Sequence, residues 1–178
     1  MGHHYLNQLF APSAVAIFGA TERPNTVGSL VLQNLMAAGF QGKIFPINPK
    51  HETVHGLTCY PGLPVIAEAI ELAIIATPAR TVGEIVKQCG EHGIKGVIVL
   101  SAGFSETGAR GKRMEKDVME LIHHYSMHLI GPNCLGVMRP STGLNVTFSK
   151  SQALPGNLAL VSQSGAVCTA ILDWASTR

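Results

Sequence analysis

The segment GATERPNTVG at residues 19–28 follows a short apolar run, and its residue types could hold an anion. A glycine at a strand end lets the backbone turn sharply and approach a ligand closely. The start of a helix that follows offers N–H groups without intrahelical partners and the positive end of the helix dipole. Gly19 and Gly28 fit those two needs, Thr21 adds a hydroxyl, and Arg23 adds a planar fork of donors suited to phosphate. The plainer account is that the glycines only make turns and that Arg23 is solvated.

Asn48-Pro49-Lys50 ends the next apolar run. A dinucleotide site of the NAD type has G-x-G-x-x-G followed by a carboxylate at that place, which binds the ribose hydroxyls. Here the tight triple glycine is missing, and a lysine stands where the carboxylate would be. Lysine suits a phosphate, so NAD is disfavoured. NADP and coenzyme A, each with an extra ribose phosphate, remain, as does an ordinary surface role for Lys50. Ser162-Gln163-Ser164-Gly165 is a second anion candidate, with hydroxyls and N–H groups at a helix start. It lacks the G-x-S-x-G spacing of a nucleophile elbow. Phosphate or acyl-phosphate binding therefore competes with simple helix capping by Ser164.

Other reactive types carry less. The histidines from His51 to His128 show no metal-ligand spacing, and His123 and His124 suit a helix surface. Cys134 reads as a small buried thiol in a candidate ligand loop, and Glu106 as a ligand contact or a cap. The four cysteines form no C-x-x-C pair, which fits reduced thiols and a cytoplasmic setting.

Something must hold these loops side by side. The runs at 14–18, 44–47, 72–76, 97–100 and 128–130 are apolar without alternation, as in strands buried on both faces. Between them, Val27, Leu30, Val31, Leu35 and Met36, then Val82, Ile85, Val86 and Cys89, then Met114, Val118, Leu121, Ile122 and Tyr125 fall at helical spacing. Strand–helix alternation predicts an α/β fold, a Rossmann-like parallel sheet with helices on both faces. Ligands of such sheets bind outside the carboxyl ends of the strands, which is where all of these loops fall. Beyond residue 131 the rhythm breaks. A strand is predicted at 144–148, a further buried strand at 158–161 and a helix at 166–175. The last two read as the first strand and helix of a second α/β domain, with a boundary at 154–156. The expected domains are thus residues 1–154 and 155–178.

With 178 residues, 46% hydrophobic and 13% charged, the chain can bury a core and is not disordered. A net charge of +2 is too small for a nucleic-acid partner. No apolar run approaches the roughly 20 residues that span a bilayer, so no membrane partner is expected.

The motifs GATERPNTVG, NPK, ATPA, LSAGFSE, GPNCLG, LNVTF, SQSGA and ILDWA, in this order, resemble the ADP-forming acyl-CoA synthetase family. They also look like bacterial protein lysine acetyltransferases with a synthetase-like region and, more distantly, the succinyl-CoA synthetase alpha subunit. The resemblance implies a CoA-binding domain. It would hold CoA phosphates at Gly19, Ala20, Thr21, Arg23, Val27 and Gly28, and the nucleotide end at Asn48 and Lys50. Thr77, Pro78 and Ala79 would flank the adenine or pantetheine. Ser101, Ala102 and Gly103 would line the crevice, and Asn133 would lie near the thiol. Ser162, Ser164 and Gly165 match the family's phosphate-facing loop. No residue of the chain is assigned a catalytic or metal-binding role. The family's phosphate-carrying histidine falls downstream of that loop, and none of the histidines here occupies its place. ATP, ADP and Mg would bind in further domains, which would also be the chain's partners. A non-catalytic module sensing CoA, or an NADP-binding oxidoreductase domain, are the competing functions.

Overall fold

Apolar runs too short to be helices become the strands of one parallel sheet in the computed structural model, which describes residues 6–176. After a short helix α1 (Leu6–Phe10) comes β1 (Ala14–Phe18), every residue of which is buried. Then follow α2 (Val27–Ala37), β2 (Lys43–Ile47) and a small hairpin, β3 (Thr53–Val54) with β4 (Leu57–Thr58). Next come β5 (Leu72–Ile75), α3 (Ala79–Glu91), β6 (Gly96–Val99), α4 (Ala109–His124) and β7 (His128–Ile130). A second hairpin, β8 (Gly136–Arg139) with β9 (Leu144–Thr147), precedes α5 (Gly165–Ser176).

The sheet order is β2-β1-β5-β6-β7, all parallel, so the chain leaves β1 for one side and later returns to the other. The topological switch therefore lies between β1 and β5, where α/β sheets hold ligands. Alternate residues of each strand feed two cores. Ala16, Ala73, Ile75, Val97 and Val99 pack with Val82 and Val86 of α3 and Val118 and Ile122 of α4. Val15, Ile17, Leu72, Ile74 and Ile98 face the other way, onto Val31, Leu32 and Leu35 of α2 and Leu144 and Val146 of β9. Helices cover both faces, as the pattern predicts. The strand expected at 144–148 is β9, and its partner is the unforeseen β8, whose short run Gly136–Arg139 carries little periodicity.

One expected element does not form. Residues 158–161 are not a strand, and Leu158 and Val161 are almost fully exposed at 101% and 96%. A strand exists only against a neighbour, and among the described residues none pairs with this run. The helix expected after it does form, as α5.

Glycine marks the tightest packing. Gly28, in the first turn of α2, lies against the carbonyl oxygen of Gly19, so close that a Cβ would collide with backbone. Gly83, inside α3, has nothing within 4 Å of its would-be Cβ. Gly83→Ala should raise stability by about 0.5–1 kcal/mol through helix propensity, whereas Gly28→Ala should lower it; urea unfolding of the two variants checks the opposite signs. By the same measurement Ile74→Ala, at a fully buried position on central β5, should cost about 2–5 kcal/mol.

Candidate functional site

The loops at the carboxyl ends of the five strands are tied to one another by hydrogen bonds. Gly19 leaves β1 with φ of +86°, and a Cβ there would sit 2.9 Å from the carbonyl oxygen of Ala76, which follows β5. Its N–H donates to Ile47 O at the end of β2, at 3.0 Å. The first loop is thus clamped between its two neighbours, with Ala20 fully buried behind it. The Asn48 amide donates to Ala20 O at 2.8 Å, while its Oδ1 accepts the Lys50 N–H at 3.1 Å. One side chain therefore fixes the Lys50 turn beside the first loop.

Thr21 Oγ1 accepts the Arg23 N–H at 3.2 Å, and Thr26 donates its hydroxyl to Arg23 O at 2.8 Å. Thr26 is the residue before α2, and with its hydroxyl turned to Arg23 it makes no side-chain cap. No acidic residue lies in the first turn, which begins with Val27 and Gly28. The helix start keeps its positive character, with exposed Arg23 in the loop before it, exposed Lys50 in the turn tied to that loop, and no ion pair to either among the described residues. This is a surface suited to phosphate.

The next loops are occupied internally. Ser101 donates its hydroxyl to Thr77 O at 2.5 Å and approaches Ile75 O at 3.3 Å, tying the ends of β5 and β6. Thr77 Oγ1 accepts from Thr81, and Pro78 and Ala79 open α3, again without a side-chain cap. Beyond exposed Ala102, Gly103 has φ of +109° and donates its N–H to Glu106 Oε1 at 2.5 Å. That bond, with other backbone donors, holds the exposed Glu106 carboxyl below its ordinary range. Glu106 thus braces its own loop. Asn133, left-handed at φ of +54°, donates its N–H to Ser101 O at 3.0 Å.

Asn133 and Cys134 line a cleft of about 850 Å³, and Glu106, Ser162, Gly165 and Cys168 line it too. The phosphate-type loop at 162–165 is therefore beside the loop after β7. Ser162 Oγ accepts the Ser164 N–H at 3.0 Å, and Ser164 Oγ accepts the Val167 N–H at 3.3 Å, so Ser164 is a helix cap. A cavity of about 550 Å³ lies at the opposite end of the sheet, against Pro12, Phe40 and Lys43, away from all of these loops.

The β3–β4 hairpin was missed by the sequence reading. His55 Nε2 lies 3.5 Å from Ser29 Oγ, the His55 N–H donates to Glu22 Oε1 at 2.7 Å, and His51 Nε2 lies 3.4 Å from Thr21 Oγ1. A signal existed: His55-Gly56, both with positive φ, makes the two-residue turn usually written Asn-Gly. Burial pushes the Cys134 thiol up to about 11 and that of Cys89 up to about 12. Such thiols hold their proton in the native state, so their contribution to stability is complete below the unfolded thiol's value of about 8.5 and erodes above it. At pH 7.5, Cys134 should be alkylated on the order of a hundredfold more slowly in the native chain than in urea, as mass spectrometry of labelled peptides would show.

Comparison with known proteins fits this geometry. The family model described as "CoA binding domain" matches residues 13–140. An ADP-forming acetate–CoA ligase of Archaeoglobus fulgidus is 38% identical over 169 residues, covering 95% of this chain and 24% of the relative. The alpha subunit of the Pyrococcus furiosus enzyme II of the same type is 42% identical, covering 94% of this chain and 36% of that subunit. The solved acetyl-coenzyme A synthetase 1 of Ca. Korarchaeum cryptofilum, in complex with phosphate and ADP, superposes with a TM-score of 0.92 at 37% identity, covering 97% of this chain and 37% of that one. The chain thus spans between a quarter and two-fifths of the length of these relatives. With the family model matched over most of the chain, and ADP-forming CoA ligases aligned along nearly all of it, this chain belongs to the CoA-binding domain family.

Proposed function

We propose that CoA lies across the carboxyl ends of the strands, with its diphosphate at the start of α2. The observation that carries this reading is the uncapped, acid-free α2 terminus, with the Lys50 turn tied to Ala20 of the first loop by the two hydrogen bonds of Asn48. Gly19, Ala20, Val27 and Gly28 would let the diphosphate approach the backbone, and Thr21 and Arg23 would bind its oxygens. Lys50 would meet the ribose phosphate, the charge that distinguishes CoA from its dephospho form. Thr77, Pro78, Ala79, Ser101, Ala102 and Gly103 would flank the middle of the ligand. Asn133 would lie at the thiol, in the cleft shared with Ser162 and Gly165.

In the whole protein the CoA thiolate would attack an acyl phosphate at that cleft, forming the thioester and releasing phosphate. The ligase names of the aligned relatives support this parent reaction over acetyl transfer to lysine. Nucleotide and Mg would bind in further regions, consistent with the greater length of the relatives. Residues 155–178 would begin the next domain. The exposed Leu158, Val161 and Trp174 support that division, since they leave apolar surface for a neighbour to cover. Four free thiols suit a cytoplasmic setting. No helix among the described residues is long and apolar enough to cross a membrane.

Calorimetric titration tests the binding mode. CoA should bind, dephospho-CoA should bind about tenfold or more weakly, and Lys50→Ala should lose most of that difference. NADP binding without CoA binding would overturn the reading.

A further inference from the structure

The turn between β2 and the β3–β4 hairpin brings an imidazole to the first loop. His51 follows Lys50 directly, and its N–H donates to Asn48 O at 3.3 Å, so it belongs to the turn that Asn48 fixes beside the first loop. Its side chain is exposed, and Nε2 lies 3.4 Å from Thr21 Oγ1. A group bound by the Thr21 hydroxyl is therefore within reach of the imidazole. Charged and titratable groups on the surrounding segments are Glu22 and Arg23 on the first loop, Lys50 and Glu52 beside His51, and His55 and Cys59 on the hairpin. Glu22 is engaged by the His55 N–H, and the His55 ring is turned to Ser29 and Gln33 on α2. Burial raises the Cys59 thiol, which stays neutral. Glu52 is the remaining carboxylate near His51, and it is exposed.

We infer that His51 is a phosphate contact of the CoA site, shared with Thr21, that makes CoA affinity rise as pH falls. The inference rests on the proposed CoA geometry and adds to it an imidazole, a side-chain type that can donate either as a neutral group or as a cation. Protonated, the imidazole donates a charge-assisted hydrogen bond to a phosphate oxygen; neutral, it offers only an uncharged one. Any gain in affinity towards acid from His51 must exceed the opposite effect of protonating a phosphate monoester, whose second ionisation lies near pH 6. That effect acts equally on every variant, so comparison between variants isolates the histidine.

The experiment is CoA titration of the full-length protein at pH 6 and pH 8, as wild type, His51→Gln and His51→Lys. The wild type should tighten about fivefold to tenfold more between pH 8 and pH 6 than His51→Gln does. His51→Lys, charged at both values, should bind at pH 8 at least as tightly as the wild type and lose the extra pH dependence. Dephospho-CoA identifies the phosphate: the effect persists with it if the diphosphate is bound, and vanishes if the ribose phosphate is. Equal pH dependence in wild type and His51→Gln, with CoA bound by both, overturns the inference alone. No CoA binding at either pH overturns the site geometry and the inference with it.

Discussion

The contact between Gly28 and the Gly19 carbonyl sets the geometry on which the candidate site depends. It brings the first turn of α2 down onto the end of β1 with no room for a Cβ. A helix dipole acts mainly within its first turn. A side chain at residue 28 would lift that turn away and weaken the local field. The same approach fixes the segment 20–27 as a short arch, closed by the Thr26 hydroxyl on Arg23 O rather than by a cap on α2. The helix end is thus left without a side-chain cap, because the Thr26 hydroxyl bonds elsewhere.

Around that contact the loops lock pairwise. Asn48 ties the end of β2 to the first loop, Ser101 ties β6 to β5, and Asn133 ties the loop after β7 to Ser101. Many of the polar groups are spent on each other. Among the side chains left outward are the cations Arg23 and Lys50, which no ion pair engages among the described residues. This division explains how a chain with a net charge of only +2 can present a local surface suited to a highly anionic ligand.

The strands and helices of the sheet were legible because a strand buried on both faces has no polar alternation, and β1, β5 and β6 show this plainly. The position of the candidate site is an expectation from topology, and Gly19, Asn48 and Lys50 are legible in the sequence as strand-end residues. What was not legible depends on partners distant in sequence. The run 158–161 is as apolar as β5, yet among the described residues no strand pairs with it, and Leu158 and Val161 stay exposed. The β8–β9 hairpin gains its place from packing on α2, where Asn34 holds the carbonyls of Thr147 and Ser149. The role of Glu106 as a brace depends on the left-handed turn at Gly103.

The central claim is that the α2 terminus, Lys50 and the Asn133 cleft form one continuous CoA site. A crystal structure of the protein soaked with CoA tests it most directly. The account predicts diphosphate oxygens within hydrogen-bond distance of the Val27 and Gly28 N–H groups, the ribose phosphate at Lys50, and the thiol in the cleft beside Asn133. CoA bound with its diphosphate away from α2, for instance against Pro12 and Phe40 at the opposite end of the sheet, would contradict it.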